Sequence, residues 1–208
     1  MDAMNAGMVA LTFIGAQVAQ KAANGAIEAI WTKFSDRFLV AFNEPPNADA
    51  LIDLAPEVLA NDPELSQEIE AVFGSSIPLR RAQLVAPALR HARLLWIDDN
   101  PGNNEWERLT LRQLGAQVTA VRNTETAIEC LQTEPFDLII SDISRPGGVR
   151  EGINALTRLE AAAPGTAVVF YVGRVDPASG VPPGAFGITN TPGELLHLVM
   201  DALERCRL

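Results

Sequence analysis

The chain has 208 residues, a hydrophobic fraction of 48% and a formal net charge of −10. This length allows one large domain or two small ones, and the hydrophobic fraction is sufficient for a buried core. The acidic charge and the lack of a basic patch argue against nucleic acid as a direct partner. The two cysteines, Cys130 and Cys206, have no metal-ligand spacing, so we predict reduced thiols on helices.

The first 74 residues have the pattern of a small all-α domain. The apolar stretch at residues 8–16 is too short to span a bilayer, so we expect a helix over 5–23 that packs on protein. Two later helices are predicted over 48–60 and 63–73. The second of these begins at Asp62-Pro63, an N-cap followed by a proline at the first helical position.

A bulky apolar stripe marks the second helix of this domain. Its side chains recur at helical spacing, at Ile27, Ile30, Trp31, Phe34 and Phe38. Such a stripe is typical of a core face. A seam between two copies of the chain is the alternative, because the stripe is large for a small helical unit. A homodimer through the N-terminal helices is therefore kept as a hypothesis.

Residues 75–91 form the predicted linker, with a short helical piece around 80–86 as an option. From residue 92 to residue 208, short apolar strands alternate with helices. We predict strands at about 93–97, 116–121, 137–141, 167–172 and 185–188, and helices near 103–114, 124–133, 150–162 and 192–206. This alternation implies an α/β domain with a parallel sheet and right-handed crossovers.

Two of the predicted strands end in acids. Asp98 and Asp99 follow the first strand, and Asp142 follows the third. In an open α/β sheet ligands bind at the carboxyl ends of strands, so adjacent strands would bring these carboxylates together. Three close carboxylates repel one another unless a proton or a cation is bound, and oxygen ligands suit Mg²⁺. Taken singly, each acid could instead be a turn residue or a helix cap.

Several motifs of this second domain match one known family. They are Asp98-Asp99-Asn100-Pro101, Gly115 to Val118, Asp137 to Asp142 with Arg145-Pro146-Gly147, and the weaker Gly184-Ala185 and Pro192. On these motifs, residues 92–208 resemble the receiver domain of two-component response regulators. The resemblance implies a flavodoxin-like sheet of five parallel strands in the order 2-1-3-4-5, preceded here by an unrecognised helical domain.

The resemblance also implies a chemistry. Asp142 would be the phosphoacceptor, and Mg²⁺ would be held by Asp99 directly, by Asp98 partly through water, by Asp142 and by the backbone carbonyl of Ser144. The implied partner is a histidine kinase or a phosphotransfer protein, with further signalling proteins downstream. The implied location is the cytoplasm, and the chain is expected to be a signalling module rather than an enzyme.

The match is incomplete at the ends of the last two strands. The family's lysine is replaced by Thr191, its hydroxyl residue after the fourth strand by Val172, and its aromatic residue in the fifth strand by Ile188. Losing a charge-assisted contact to the phosphoryl group would weaken its binding by roughly 1.5–3 kcal/mol. Arg145 or Arg174 could compensate.

The segment between the fourth and fifth strands departs as well. Residues 174–183 are short and rich in proline, so we predict that the fourth helix is reduced to a loop. Two functions follow: a receiver phosphorylated on Asp142, or a pseudo-receiver that binds other proteins without phosphorylation. A phosphate-ester hydrolase is a third and weaker option, because no second acid stands two residues after Asp142.

Overall fold

The structure is a computed structural model. It describes residues 3–75, 77, 81–82, 86–146, 148–176 and 178–205. Gly147, Cys206 and part of the helical piece predicted at 80–86 therefore lie outside the described residues. Within them, no helix is long and apolar enough to cross a membrane.

The N-terminal region is helical, as predicted. Its helices are α1 (Ala3–Ala19), α2 (Gly25–Phe42), α3 (Ala48–Asn61) and α4 (Pro63–Ser75). Helices α2 and α4 each begin after a capping residue: Asn24 Oδ1 accepts from the backbone N–H of Ile27 at 3.1 Å, and Asp62 Oδ1 accepts from that of Leu65 at 3.0 Å. These caps satisfy N–H groups that have no partner inside the helix. We name these helices together the helical unit.

The apolar stripe of α2 packs inside the chain. Ile27, Ile30, Phe34 and Phe38 are all buried in a cluster with residues of α1, α3 and α4. This confirms the interpretation of the stripe as a core face. A dimer seam on the same residues would require the helical unit to open, so self-association stays a prediction that would need another surface.

The second region contains one five-stranded parallel sheet in the order β2-β1-β3-β4-β5, as predicted. The strands are β1 (Arg93–Ile97), β2 (Gln117–Val121), β3 (Leu138–Ser141), β4 (Ala167–Tyr171) and β5 (Gly187–Thr189). The helices are a short α5 (Ala86–Leu89), α6 (Glu105–Gln113), α7 (Thr124–Thr133), α8 (Glu151–Ala162) and α9 (Pro192–Arg205). A 3₁₀ turn, Pro101–Asn104, leads into α6. Between β4 and β5, the described residues contain no helix, which confirms the reduced fourth helix.

The two faces of the sheet have separate apolar layers, because alternate side chains of a strand point to opposite faces. Leu95, Ile139 and Phe170 point to the face that α7 and α8 cover. Trp96 and Tyr171 point to the other face, where α6 and α9 pack. Burial of each large apolar side chain contributes roughly 1.5–3 kcal/mol to stability.

The layer under α6 and α9 continues into the helical unit, so the two regions share one hydrophobic cluster. Helix α1 lies against α6 and α9. Gly15 permits the closest approach, since a Cβ at this position would lie 2.6 Å from the indole ring of Trp106. Thr12 Oγ1 donates to Gln113 Oε1 at 3.0 Å across the same seam. Boundaries at 74 and 92 remain a prediction, and the packing across them is extensive.

Candidate functional site

The register of the two central strands places the acids. Ile97 of β1 pairs with Ser141 of β3, so the next residues, Asp98 and Asp142, leave the sheet side by side. The backbone N–H of Asp142 donates to Ile97 O at 2.9 Å, which extends the parallel pairing to the acid itself. The predicted adjacency of the two acid-ended strands is therefore confirmed.

Asp98 is nearly buried, with 6% of its surface exposed. Its Oδ1 accepts from the backbone N–H of Asn100 at 2.7 Å, and its Oδ2 accepts from Asn104 Nδ2. Burial raises the pKa of Asp98 despite these bonds, and the charges of Asp142 and Asp99 raise it further. The carboxylate is thus held in place by its neighbours, and burial and the adjacent acids disfavour its charged form.

Asp142 is half-buried and is held by the backbone that follows it. Its Oδ1 accepts from the N–H of Ile143 at 2.7 Å. Burial raises its pKa most, hydrogen bonds from Ile143 and Ser144 oppose that rise, Asp99 adds to it and Arg145 lowers the pKa.

Gly152 brings α8 close to this acid. A Cβ at this position would lie 2.3 Å from the carbonyl oxygen of Asp142 and 2.8 Å from Ile143 Cα. The N–H of Gly152 donates to Ile143 O at 2.9 Å, so the backbone after β3 is fixed by the start of α8. Only glycine permits this approach, because the obstructing atoms belong to the backbone and cannot rotate away.

The three acids interact but do not face one pocket. Asp98 and Asp142 open onto a pocket of about 310 Å³, whereas Asp99 lines a neighbouring pocket of about 410 Å³ together with Arg145. Among the described residues, no three His, Cys, Asp or Glu side chains are arranged to hold one metal ion. Carboxylate and carbonyl oxygens are ligands that suit Mg²⁺. The described side chains, however, do not point toward one common ion position. The ligand set of Asp98, Asp99, Asp142 and the carbonyl of Ser144 stays a prediction.

Arg145 is a cation beside this site and lines the pocket of Asp99. It is 6% exposed, and its Nη2 donates to Thr124 Oγ1 at 3.1 Å. Its Nε has no hydrogen-bond partner among the described residues. Burial lowers the pKa of Arg145, and nearby acids, Glu151 first, oppose this shift. Arg174, by contrast, is exposed.

The ends of β4 and β5 offer little polarity toward Asp142. Val172 follows β4 and lines the pocket of Asp98 and Asp142 with an apolar side chain. Its backbone N–H donates to Thr189 O at 3.0 Å, and the N–H of Thr191 donates to Thr189 Oγ1 at 3.1 Å. Thr191 and Val172 therefore occupy the expected places without supplying a cation or a hydroxyl to the pocket.

Three residues that we did not predict also belong to this region. The hydroxyl of Tyr171 donates to Glu107 Oε1 at 2.7 Å, and both side chains are buried. Burial raises the pKa of Glu107. Gln20, at the end of α1, lines the pocket of Asp98 and Asp142. The sequence held one signal, an acid inside the apolar pattern of α6, but nothing in it links residue 20 to residue 142.

The strand order and the two acid-ended central strands define a flavodoxin-like α/β domain. Residues 94–183 match the family model described as response regulator receiver domain. The sensor histidine kinase GacS of Pseudomonas protegens is 40% identical over 78 residues, which is 37% of this chain and 8% of that protein. The response regulator protein PilR of Pseudomonas aeruginosa is 32% identical over 118 residues, which is 54% of this chain and 26% of that protein.

Solved structures agree on the fold. A CheY-like receiver domain protein from Methanospirillum hungatei aligns with a TM-score of 0.50 and 21% identity, over 56% of this chain and 97% of that one. Residues 94–183 of this chain therefore match the response regulator receiver domain family, as the motifs predicted, and the solved structure shares their fold. The helical unit precedes the matched segment. The chain spans only 8% of the length of GacS and 26% of that of PilR.

Proposed function

We propose that Asp142 accepts a phosphoryl group from a histidine kinase or a phosphotransfer protein, and that the chain passes this signal on through protein contacts in the cytoplasm. One observation carries the proposal: Asp142 lies beside Asp98 at the carboxyl ends of the central strands and opens onto a pocket of about 310 Å³. The likeness to parts of a sensor histidine kinase and of a response regulator protein supports partners of this class.

The residues around Asp142 suit a nucleophile. In the transfer, a carboxylate oxygen of Asp142 forms a bond to phosphorus, while the P–N bond of a phosphohistidine breaks and its electron pair returns to the imidazole. The N–H of Ile143 donates to Oδ1 and fixes the orientation of the carboxylate. Hydrogen bonds from the backbone and the charge of Arg145 oppose the rise in pKa that burial causes, so they favour the charged form that attacks phosphorus.

We propose Mg²⁺ as the cofactor, with Asp98, Asp99, Asp142 and the backbone carbonyl of Ser144 as its ligands. When bound, the ion would neutralise charge on the phosphoryl oxygens. Asp99 would have to turn from its own pocket toward Asp142. The two pockets are adjacent, and the charge of Asp99 already raises the pKa of Asp142.

Labelling by a small phosphoryl donor tests this proposal. The chain, incubated with Mg²⁺ and acetyl phosphate, should gain the mass of one phosphoryl group, and the label should be lost in Asp142→Asn. Asp176→Asn is a matched control, because Asp176 is an exposed acid in the loop after β4. Equal labelling of wild type and Asp142→Asn would show that Asp142 is not the acceptor.

The second candidate is a pseudo-receiver that binds proteins without phosphorylation. Val172 and Thr191 favour it, because neither supplies the hydroxyl or the cation that the family uses at these places. In this case the wild-type chain would take up no label, and its partners would bind equally to wild type and Asp142→Asn. In neither function does the chain turn over a substrate.

A further inference from the structure

One wall of the pocket over Asp142 comes from the helical unit. Ala19 and Gln20, at the C-terminal end of α1, line it together with residues that follow β1 and β4. We propose that the carboxamide of Gln20 holds the anionic group that Asp142 carries, in place of the contacts missing at Val172 and Thr191. This inference rests on the proposed function and assigns a role to a residue outside the segment that matches the receiver family.

Few side chains that line this pocket have an N–H donor without a partner among the described residues. Asn104 Nδ2 already donates to Asp98, and Val172 and Gly173 have no polar side chain. The carboxamides of Asn103 and Gln20 remain among the described lining residues. Asn103 is exposed, and its hydrogen bond is to another exposed side chain. Gln20, by contrast, lies beside a buried carboxylate that can orient its amide group.

That carboxylate is Glu107. Its Oε2 is buried without a hydrogen-bond partner among the described residues, and Gln20 lies near enough to lower the pKa of Glu107. A carboxylate only accepts hydrogen bonds, so it selects the nitrogen end of the carboxamide. Tyr171 holds the carboxylate from the other side at 2.7 Å. The NH₂ group has two hydrogens, and the one that Glu107 does not take is available to an anion in the pocket.

The end of α1 is also held firmly. The backbone N–H of Gln20 donates to Ala16 O at 3.1 Å, and Lys21 ends the helix with a left-handed φ of 54°. One turn earlier, Gly15 packs against the ring of Trp106 on α6. A donor fixed in this way loses little conformational entropy when an anion binds, which makes its hydrogen bond more effective.

Beryllofluoride, added with Mg²⁺ as a mimic of the phosphoryl group, is the probe. Isothermal titration of the full chain gives separate affinities for Mg²⁺ alone and for beryllofluoride. Gln20→Ala should weaken beryllofluoride binding by about tenfold or more, as for a lost hydrogen bond to a charged group. Its affinity for Mg²⁺ should stay within about twofold of wild type, since carboxylates rather than amides bind this ion.

Two further variants make the result specific. Gln20→Glu should abolish beryllofluoride binding but keep or strengthen Mg²⁺ binding, because it adds a negative charge to the same wall. Gln17→Ala is the matched control, since Gln17 lies one turn earlier on α1 and is half-buried like Gln20. It should bind both ligands as wild type does.

Three outcomes would overturn the inference. Equal beryllofluoride affinity in wild type and Gln20→Ala would show that Gln20 does not contribute to binding of the anion. An equal loss in Gln17→Ala would trace the effect to the stability of α1. A wild-type chain that binds neither Mg²⁺ nor beryllofluoride would overturn the proposed function, and this inference with it.

Discussion

The carboxyl ends of β1 and β3 differ from those of β4 and β5 in the polar groups that they carry. Where β1 and β3 end, Asp98 and Asp142 stand side by side, buried or half-buried and held by neighbouring amides. Where β4 and β5 end, Val172 and Thr191 replace the hydroxyl and the lysine of the family, and a loop replaces a helix. The carboxylates expected from the resemblance are present at the first end, whereas Val172 and Thr191 stand at the second end in place of the expected hydroxyl and lysine. The two ends can therefore be tested separately.

The largest expected effect comes from a substitution that distorts the backbone at Asp142. Gly152→Ala places a Cβ 2.3 Å from the backbone oxygen of Asp142, so the strand end or α8 has to move. We expect a loss of about 1–3 kcal/mol in unfolding free energy, as for overpacked sites. Denaturant unfolding measures it.

Gly173→Ala is the matched control for that substitution, because a Cβ at Gly173 would meet no atom within 4 Å. A Gly152→Ala chain as stable as Gly173→Ala would mean that α8 does not fix the backbone at Asp142.

A second test concerns the hydrogen bond that Tyr171 makes at the end of β4. Tyr171→Phe removes the hydroxyl that donates to Glu107 and leaves a buried carboxylate with one donor fewer. We expect a loss of roughly 1–3 kcal/mol in unfolding free energy, because a buried acceptor without its partner keeps its desolvation penalty. Combining it with Glu107→Gln in a double-mutant cycle should reveal coupling, whereas additive losses would deny the hydrogen bond an energetic role.

Restoring the family's cation sharpens the contrast. Thr191→Lys should tighten the binding of beryllofluoride by about tenfold, since a charge-assisted bond to an anion contributes roughly 1.5–3 kcal/mol before its costs. Calorimetry in the presence of Mg²⁺ measures the change. Gln132→Lys adds the same charge on the exposed face of α7 and should leave binding unchanged. No gain from Thr191→Lys would mean that the end of β5 does not reach the anion.

The smallest expected effect is a pH dependence at Asp98. Because burial and neighbouring charge raise its pKa in the folded state, the folded chain holds this proton more tightly than the unfolded chain. Stability is therefore lost as pH rises from the ordinary pKa of aspartate through the raised value. Asp98→Asn should melt a few degrees above wild type at neutral pH without Mg²⁺. This advantage should shrink below about pH 4, where both states of the wild type are protonated.

Much of this architecture follows from local pattern. The alternation of strands and helices gave the sheet, and the register of β1 and β3 follows once two apolar runs ending in acids are placed as neighbours. Asp62 and Pro63 marked the start of α4 correctly. The ends of elements were less accurate: α1 stops at Ala19 rather than near residue 23, because the chain turns at Lys21.

The parts that could not be predicted depend on long-range packing. Arg145 could be proposed as a compensating cation, but its burial against Thr124 depends on the loop after β3 meeting the start of α7. The approach of Gln20 to Glu107 joins residues that are far apart in sequence, through the packing of α1 on α6. The sequence pattern does not predict the rotamer of a side chain. For this reason the sequence did not predict that Asp99 lines a different pocket from Asp142.

The shared hydrophobic cluster has a practical consequence for anyone who divides this chain. A fragment that begins at Ala92 would expose to solvent the side chains of Leu111, Leu195 and Leu196, which α1 helps to cover. Exposed apolar patches of this kind promote aggregation. The intact chain should melt in a single cooperative transition, and limited proteolysis in the segment before β1 should yield fragments that stay together until they denature.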